Sequence, residues 1–287
     1  MKTYTTEPIP GSPEWNALVT ASKVAAILGI SPWESQFSMW HRMRNELPAN
    51  EQTSVMARGH YLESAILEWW KDQHEIADIS EQAYITREDL PWAGATLDAR
   101  AAMSNGENAI VEVKTSTHTD EWGESGTDQI PSMYLTQVYF SLALSGADVA
   151  YIAVLGAFLE FKEFVVRPDK AIQDSLIEKC RVFHESLSSD VAPDLDNSLA
   201  TFECLKALHP DIDKGTVAHI DKGIADLYLA AITLEKHWIE NARAAKSKIL
   251  ELAGRANYVE ADGVRVARRQ PNRSGVSLVA IQNKGEM

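Results

Sequence analysis

Apolar residues recur along this chain with two different periods, and these periods predict its helices and strands. Spacings of three and four residues predict amphipathic helices over residues 37–47, 54–73, 132–145 and 169–187. Short continuous or alternating runs predict strands over residues 82–86, 92–100, 109–114, 149–155 and 161–166. A shorter helix follows Thr20-Ala-Ser22 and ends at Gly29. We expect an α/β (α+β) fold with a central mixed sheet flanked by helices.

The pattern changes after residues 188–197, which are rich in Ser, Asp and Pro. Apolar residues alternate at steps of three and four from Val217 to Trp238 and, after a change of phase, on to Leu252. This pattern predicts one long helix with a coiled-coil-like seam. Residues 258–268 alternate around Asp262-Gly263, which predicts a β-hairpin. We therefore expect a core of residues 1–190 and a C-terminal extension of residues 198–287.

Composition limits the class of protein. The 287 residues include no apolar stretch of about 18, so the sequence predicts no membrane-spanning helix. The N-terminal residues lack the apolar segment of a signal peptide. Only Cys180 and Cys204 are present, too few for a disulfide framework or a cysteine zinc site. We expect a cytoplasmic protein without membrane association.

The net charge of -14 is unevenly distributed. Residues 1–213 hold 15 Lys+Arg against 33 Asp+Glu, whereas residues 214–273 hold 11 against 7. Phosphates of a nucleic acid would avoid the acidic part unless divalent cations neutralised its carboxylates. Phosphate contacts are therefore expected in the basic segment, at Arg265, Arg268 and Arg269. A solvated surface without a function explains these charges equally well.

The sharpest candidate for chemistry is Glu112-Val-Lys114, which follows Asp98 on a neighbouring predicted strand. Glu112 and Lys114 point to the same face because side chains alternate along a strand. Two carboxylates together with a main-chain carbonyl are suitable ligands for Mg²⁺. An adjacent lysine can hold the attacking water and offset charge on a phosphate in the transition state. The sequence thus indicates a metal-dependent phosphodiesterase site.

A Glu-x-Lys triplet is by itself weak evidence, and the chain contains a second one at Glu160-Phe-Lys162. That triplet is explained by a solvated strand. Glu112 differs because it interrupts an apolar run, where an unpaired carboxylate would be costly to bury.

Five short segments, in order along the chain, resemble one protein family. They are Thr20-Ala-Ser22, Gly59-His-Tyr-Leu-Glu63, Leu97-Asp98, Glu112-Val-Lys114 and Tyr134-Leu-Thr-Gln137-Val-Tyr139. This set is similar to the YqaJ-like viral recombinase and phage lambda exonuclease family of the PD-(D/E)XK nuclease superfamily. The similarity covers residues 14–187 and implies a restriction-endonuclease-like core.

The resemblance also implies roles for individual residues. Asp98, Glu112 and the carbonyl of Val113 would bind Mg²⁺, for which Mn²⁺ is expected to substitute, and Lys114 would activate the water. Glu63 would reach the metal directly or through water, and Gln137 would orient Lys114 or the nucleophile. Each residue also has an ordinary interpretation, since Glu63 and Gln137 can be surface residues of helices.

The same resemblance places Ser22, with Thr20, at the 5′-terminal phosphate, although Ser22 can also act only as a helix N-cap. The family's arginine shortly before this segment is missing here. Preference for a 5′-phosphate therefore requires a substitute, for which Lys23, Arg42 and Arg58 are the candidates.

The implied function is that of a Mg²⁺-dependent 5′→3′ exonuclease on linear double-stranded DNA, which generates 3′ single-stranded tails for phage recombination. The implied partners are double-stranded DNA ends, a phage single-strand annealing protein and further copies of the chain in a ring-like trimer. The implied location is the cytosol of a bacterial host. Two alternatives stay open: an endonuclease or nickase on the same core, and a non-catalytic phage protein that binds DNA ends or a partner.

Overall fold

The computed structural model describes residues 2–5, 8–48, 53–117, 121–273 and 275–281. The chain divides into two compact units, Met1–Ile212 and Asp213–Met287. The second unit thus begins later than the extension expected from residue 198. The reason is helix α7 (Leu199–Leu208), which the sequence analysis did not predict and which belongs to the first unit.

Helix α7 packs against α3 (Gln36–Met43). The buried hydroxyl of Thr201 donates to Oγ of Ser35, the N-cap of α3, over 2.7 Å. Cys204 of α7 is also buried. Ser198 caps the helix by accepting from the amide of Thr201.

A seven-stranded mixed sheet forms the centre of the first unit, with the strand order β1-β3-β4-β5-β6-β7 and with β2 paired to β4. Strands β5 and β6 are parallel, as are β2 and β4, and the other neighbours are antiparallel. The strands are β1 (Lys2–Thr5), β2 (Val19–Thr20), β3 (Ile76–Arg87), β4 (Leu90–Met103), β5 (Asn108–Thr115), β6 (Val149–Leu155) and β7 (Phe161–Val166).

Helices cover both faces of this sheet, as the sequence predicted. One face packs against α2 (Val24–Ile27), α3, α5 (Ser132–Ser145) and α6 (Lys170–Ser186). The opposite face packs against α4 (Ser54–Lys71). A short helix α1 (Pro13–Asn16) precedes β2.

The alternation of β5 divides its side chains between these two layers. Ile110 lies in the cluster that contains α5, whereas Val111 and Val113 lie in the cluster that contains α4. Glu112 and Lys114 have the parity of Ile110 and therefore face α5. This alternation places the candidate chemistry beneath the helix that carries Gln137.

The second unit contains a long helix and a small sheet. Helix α8 (Lys222–Ala253) begins at the N-cap Asp221 and contains no buried residue. Strands β8 (Tyr258–Ala261) and β9 (Val264–Asn272) form the predicted hairpin, and Asp262 and Gly263 both have the positive φ that its turn requires. A third strand, β10 (Gly275–Ala280), was not predicted and pairs with β9.

None of the helices in the described ranges is both long enough and apolar enough to cross a membrane.

Candidate active site

The site lies where β4 and β5 stop pairing with each other. Their antiparallel ladder ends at Ala99 opposite Val111. Beyond that point the carboxylate of Asp98, rather than a main-chain carbonyl, accepts the amide hydrogen of Val113 over 2.6 Å. The hydrogen bond holds Asp98 beside the main chain between Glu112 and Lys114.

Glu112 is buried and accepts two short side-chain hydrogen bonds at one oxygen. The ammonium of Lys114 and the side-chain amide of Gln137 each donate to its Oε1 over 2.5 Å. Gln137 comes from the first turns of α5, so this helix fixes the carboxylate from above the sheet. Only 5% of Glu112 is exposed, and these two donors explain why the carboxylate is tolerated there.

The ionisable groups of the cluster shift the pKa values of one another. Burial raises the pKa of Asp98 to about 8, and the negative charge of Glu112 acts in the same direction, although Lys114 and the Val113 amide oppose both. Burial acts to lower the pKa of Lys114, but the carboxylates of Glu112 and Asp98 outweigh it and raise that pKa. Lys114 is therefore protonated, but its single charge cannot compensate two ionised carboxylates, so ionisation of Asp98 is favoured only when a further cation binds.

Glu63 approaches the same cluster from the opposite layer. It is partly buried on α4, and its charge contributes to raising the pKa of Asp98. Asp98 and Glu112 thus lie on adjacent strands, and Glu63 on α4 is near enough for its charge to act on Asp98.

The donor set fits a hard divalent cation, which prefers carboxylate and carbonyl oxygens and retains several waters. Within the described ranges, no three His, Cys, Asp or Glu side chains are already gathered closely enough to hold a metal ion. One oxygen of Glu112 accepts hydrogen bonds from Lys114 and Gln137. The second oxygen of Glu112 and Oδ1 of Asp98 are the ones that could bind a cation.

The segment predicted to bind the terminal phosphate has an unexpected local structure. Residues Ala21–Lys23 form a 3-10 turn before the short helix α2, and no side chain caps either element. The predicted N-cap role of Ser22 is therefore wrong. Its hydroxyl is exposed and lies 3.0 Å from Oγ1 of buried Thr20. The 3-10 turn contacts α5, the helix of Gln137.

Two of the three candidate substitutes for the missing arginine are engaged elsewhere. The ammonium of Lys23, 2% exposed, donates to three main-chain carbonyls, those of Trp15, Asn16 and Leu18. Arg42 forms an ion pair with Glu34 over 2.9 Å. Arg58 is exposed on α4, five residues before Glu63, and forms no ion pair with a described residue.

The three arginines predicted to contact DNA differ in their surroundings. Arg265 and Arg268 are exposed, and the Arg265 guanidinium lies 4.3 Å from the centroid of the Tyr258 ring. Arg269 is half-buried and donates to the main-chain carbonyl of Gly254, just after α8. Arg269 therefore fastens the end of α8 to the small sheet, a structural role that the sequence analysis did not foresee.

Two aromatic residues near Lys114 were not among the predicted site residues. The Lys114 ammonium lies 5.3 Å from the centroid of the Tyr134 ring, and Tyr134 stacks on Trp122 at 5.5 Å. Trp122 donates to Ser116 Oγ over 3.2 Å, just beyond β5. Tyr134 precedes Gln137 by three residues, so their helical spacing already placed both on one face of α5.

Comparison with known proteins agrees with the resemblance seen in the sequence. Residues 15–148 match the family described as the YqaJ-like viral recombinase domain. The uncharacterized protein YqaJ of Bacillus subtilis (strain 168) is 26% identical over 249 residues, which cover 84% of this chain and 72% of that protein.

Two solved structures share remote similarity with the chain. An alkaline exonuclease (LHK-Exo) from Laribacter hongkongensis matches with a TM-score of 0.45 and 14% identity, over 62% of this chain and 94% of the exonuclease. The structure of SSO0001 matches with a TM-score of 0.41 and 11% identity, over 75% of this chain and 90% of that protein.

Proposed function

Since residues 15–148 match the family described as the YqaJ-like viral recombinase domain, we propose that the chain is a Mg²⁺-dependent exonuclease acting on linear double-stranded DNA. It would digest one strand in the 5′→3′ direction and leave 3′ single-stranded tails for strand annealing. The observation that carries this proposal is the convergence of Lys114 and Gln137 on Glu112, beside Asp98.

In this proposal Asp98 and Glu112 hold the cation, aided by the Val113 carbonyl and by Glu63. A bound Mg²⁺ or Mn²⁺ supplies polarisation of the phosphate and lowers the pKa of the attacking water. Lys114 is protonated, so it acts as a hydrogen-bond donor that orients the water and offsets negative charge on the phosphate. Gln137 is a positioning residue, because it acts through Glu112.

The distribution of charge supports different roles for the two units, with the cation site in the first and phosphate contacts in the second. The first unit is strongly acidic, which suits a cation site but not broad contact with a duplex. Arg265 and Arg268 are exposed in the more basic second unit and are the residues that we propose to contact phosphates there. Near the site, we propose that Ser22 and Arg58 contact the terminal phosphate.

We also propose that the chain acts as a homo-oligomer and that α8 takes part in its assembly. Most of its large apolar side chains lie on one side of the helix and are exposed: Ile224, Leu227, Tyr228, Ile232, Leu234, Trp238, Ile239 and Leu252. We call this side the α8 stripe. Exposed apolar area of this extent is typical of an interface.

A second copy of α8 is the partner that fits the α8 stripe best. The stripe contains two charged residues, Glu235 and Lys246, whose charges are opposite. In an antiparallel pair of α8 helices, Glu235 of each copy would lie against Lys246 of the other copy. The trimer implied by the resemblance, and a phage annealing protein as a further partner, remain expectations to be tested by mass and by binding.

Duplex DNA labelled at one end tests the proposed function. With Mg²⁺, a label on the 5′-terminal nucleotide should be released early as a mononucleotide, whereas a 3′ label should remain on a shortening strand. Covalently closed circular DNA should stay intact. Cleavage of the circle would support an endonuclease or nickase instead, and binding of ends without any nucleotide release would support a non-catalytic protein.

A further inference from the structure

The turn between β6 and β7 lies at the same end of the sheet as the candidate active site. Lys114 is paired with Val154, and the amide of Ser116 donates to the Leu155 carbonyl over 2.9 Å. The turn, Gly156–Glu160, starts at the next residue. Phe158 lies four residues beyond Val154, which is at most about 13 Å of extended chain.

The turn holds two apolar side chains in solvent. Phe158 is 92% exposed and Leu159 is 69% exposed. An exposed phenylalanine leaves a large apolar area in contact with water, which is unfavourable, so its exposure suggests a binding role. Among the described residues, no aromatic ring stacks on Phe158.

The backbone of the turn is held firmly in an unusual conformation. Leu159 has φ 64°, in the left-handed region that a branched apolar residue rarely adopts. The amide of Phe158 donates to the Glu160 carboxylate over 2.8 Å, and the amide of Gly156 donates to the Glu160 carbonyl over 2.9 Å. These contacts hold the tip of the turn in one conformation, in which Phe158 and Leu159 face solvent.

The base of the turn is supported by packing. Phe161 pairs with Leu155 across the two strands and stacks on Trp69 of α4, with ring centroids 5.0 Å apart. The exposed tip is therefore mounted on a rigid hairpin.

Lys162, at the start of β7, is level with Lys114 across the sheet. Lys162 pairs with Val154, which pairs with Lys114, so the three side chains point to one face of the sheet. Lys114 and Lys162 are two strands apart, about 10 Å between main chains. Lys162 is partly exposed and forms no ion pair with a described residue. Its charge suits the DNA backbone phosphate that is adjacent to the scissile phosphate at Lys114.

We propose that the β6–β7 turn is a nucleobase-binding element, in which Phe158, flanked by Leu159, stacks on an unpaired base while Lys162 binds a backbone phosphate next to the scissile one. This proposal rests on the proposed function. A neutral aromatic base suits the turn better than a phosphate does, because the negatively charged Glu160 carboxylate accepts the main-chain amide of Phe158 and would repel a phosphate there. Base–aromatic stacking is tolerant of sequence, as digestion of any duplex requires.

Binding of duplex ends that carry a single abasic site tests the stacking directly. The probes are four fluorescent duplexes, each with a single abasic site at position 1, 2, 3 or 4 from the 5′ end. Ca²⁺ replaces Mg²⁺ in the buffer to prevent turnover. At one position the abasic site should weaken binding by the wild-type protein about tenfold. Phe158→Ala should weaken binding of the intact duplex equally and be insensitive to the abasic site at that position.

Two further variants control for other causes. Phe158→Trp keeps an aromatic ring and should restore both the affinity and the abasic effect. Phe202→Ala removes another exposed phenylalanine, on α7, and should behave like the wild type. Wild-type affinity in Phe158→Ala, or no coupling at any of the four positions, would overturn the proposal even if the wild type digests the intact duplex with Mg²⁺. Failure of the proposed function would be seen separately: the abasic site would weaken binding by the wild type but not by Phe158→Ala, yet no nucleotides would be released with Mg²⁺.

Discussion

The Asp98 carboxylate accepts the Val113 amide hydrogen over 2.6 Å, and this contact holds Asp98 beside Glu112 and Lys114. It replaces a main-chain ladder bond at the point where β4 and β5 separate, so Asp98 stays beside Glu112 although the strands no longer pair. Two carboxylates held this closely repel each other, and burial increases the effect. The free energy of unfolding should therefore depend on pH and on Mg²⁺ through Asp98.

Thermal unfolding without divalent cations should show this dependence. The pKa of Asp98 is raised from 3.8 to about 8 in the folded protein, so between these values the folded state binds a proton that the unfolded chain has lost. Stability should then fall as the pH rises from about 4 to 8 and level off above that. In Asp98→Asn, whose side chain can still accept from Val113, the melting temperature should fall less over the same range.

Addition of Mg²⁺ should change the sign of this effect. The cation binds the ionised carboxylates, so its affinity should rise with pH until Asp98 is fully ionised. The stabilisation of the wild type by Mg²⁺ should therefore be larger at pH 9 than at pH 6, and small in Asp98→Asn at both. Equal stabilisation of the two proteins at both pH values would exclude Asp98 as a ligand.

Gln137→Ala should reduce the rate of digestion by about 10- to 100-fold, which is typical for loss of a residue that orients a metal ligand. The cause is the loss of one of the two donors to Glu112, while Lys114 keeps the carboxylate in place. The decrease should lie in kcat, and raising the Mg²⁺ concentration should recover part of it. Thr136→Ala, one residue earlier on α5, is the matched control. A Gln137→Ala protein with wild-type kcat would remove Gln137 from the site.

Much of the fold follows from the local pattern. The predicted bounds of α5, β6 and β7 agree with the structure, because each segment is an apolar run closed by a clear turn. Strands β3 and β4 are longer than predicted, since they pair with each other beyond the segments in which the sequence alternates clearly. Helix α7 was missed because it is short and follows a segment typical of a linker.

The sequence predicted which residues of β5 share a face but not the contacts that they make. Alternation along β5 was enough to place Glu112 and Lys114 on one face. The bond from Val113 to Asp98 depends on the register of two strands, and that of Gln137 to Glu112 depends on how α5 packs. The use of Lys23 and Arg269 for main-chain carbonyls likewise follows from tertiary structure, which a count of charges does not reveal.

Arg58→Ala should reduce the preference for duplexes with a 5′-phosphate over those with a 5′-hydroxyl by about tenfold, the effect of one charge-assisted hydrogen bond. Arg58 is the exposed candidate, whereas Lys23 and Arg42 are already engaged. Arg181→Ala, on α6, removes a partly exposed arginine and should leave the ratio unchanged. Initial rates on the two substrates measure it. An unchanged ratio in Arg58→Ala would place the phosphate contact elsewhere.

Self-association should depend on the α8 stripe. Light scattering should give the wild type a mass above the 31.8 kDa of one chain. Replacing Leu227 and Trp238 with lysine together should lower that mass, because charges within an apolar seam oppose pairing. Replacement of the charged Lys236 with alanine is the control and should leave the mass unaltered. Oligomers of undiminished mass in the double variant would show that another surface joins the copies.

The most direct test of the central claim is the release of nucleotides from linear duplex DNA with Mg²⁺ by Glu112→Gln and Lys114→Ala. Both proteins should fold, as judged by their thermal unfolding, and both should lose more than about a hundredfold in rate, because the site loses a metal ligand or the donor that stabilises the transition state. Glu178→Gln and Lys170→Ala, which change exposed residues of α6, should digest the duplex normally. Undiminished digestion by both site variants would contradict the assignment of Asp98, Glu112 and Lys114 as the catalytic centre.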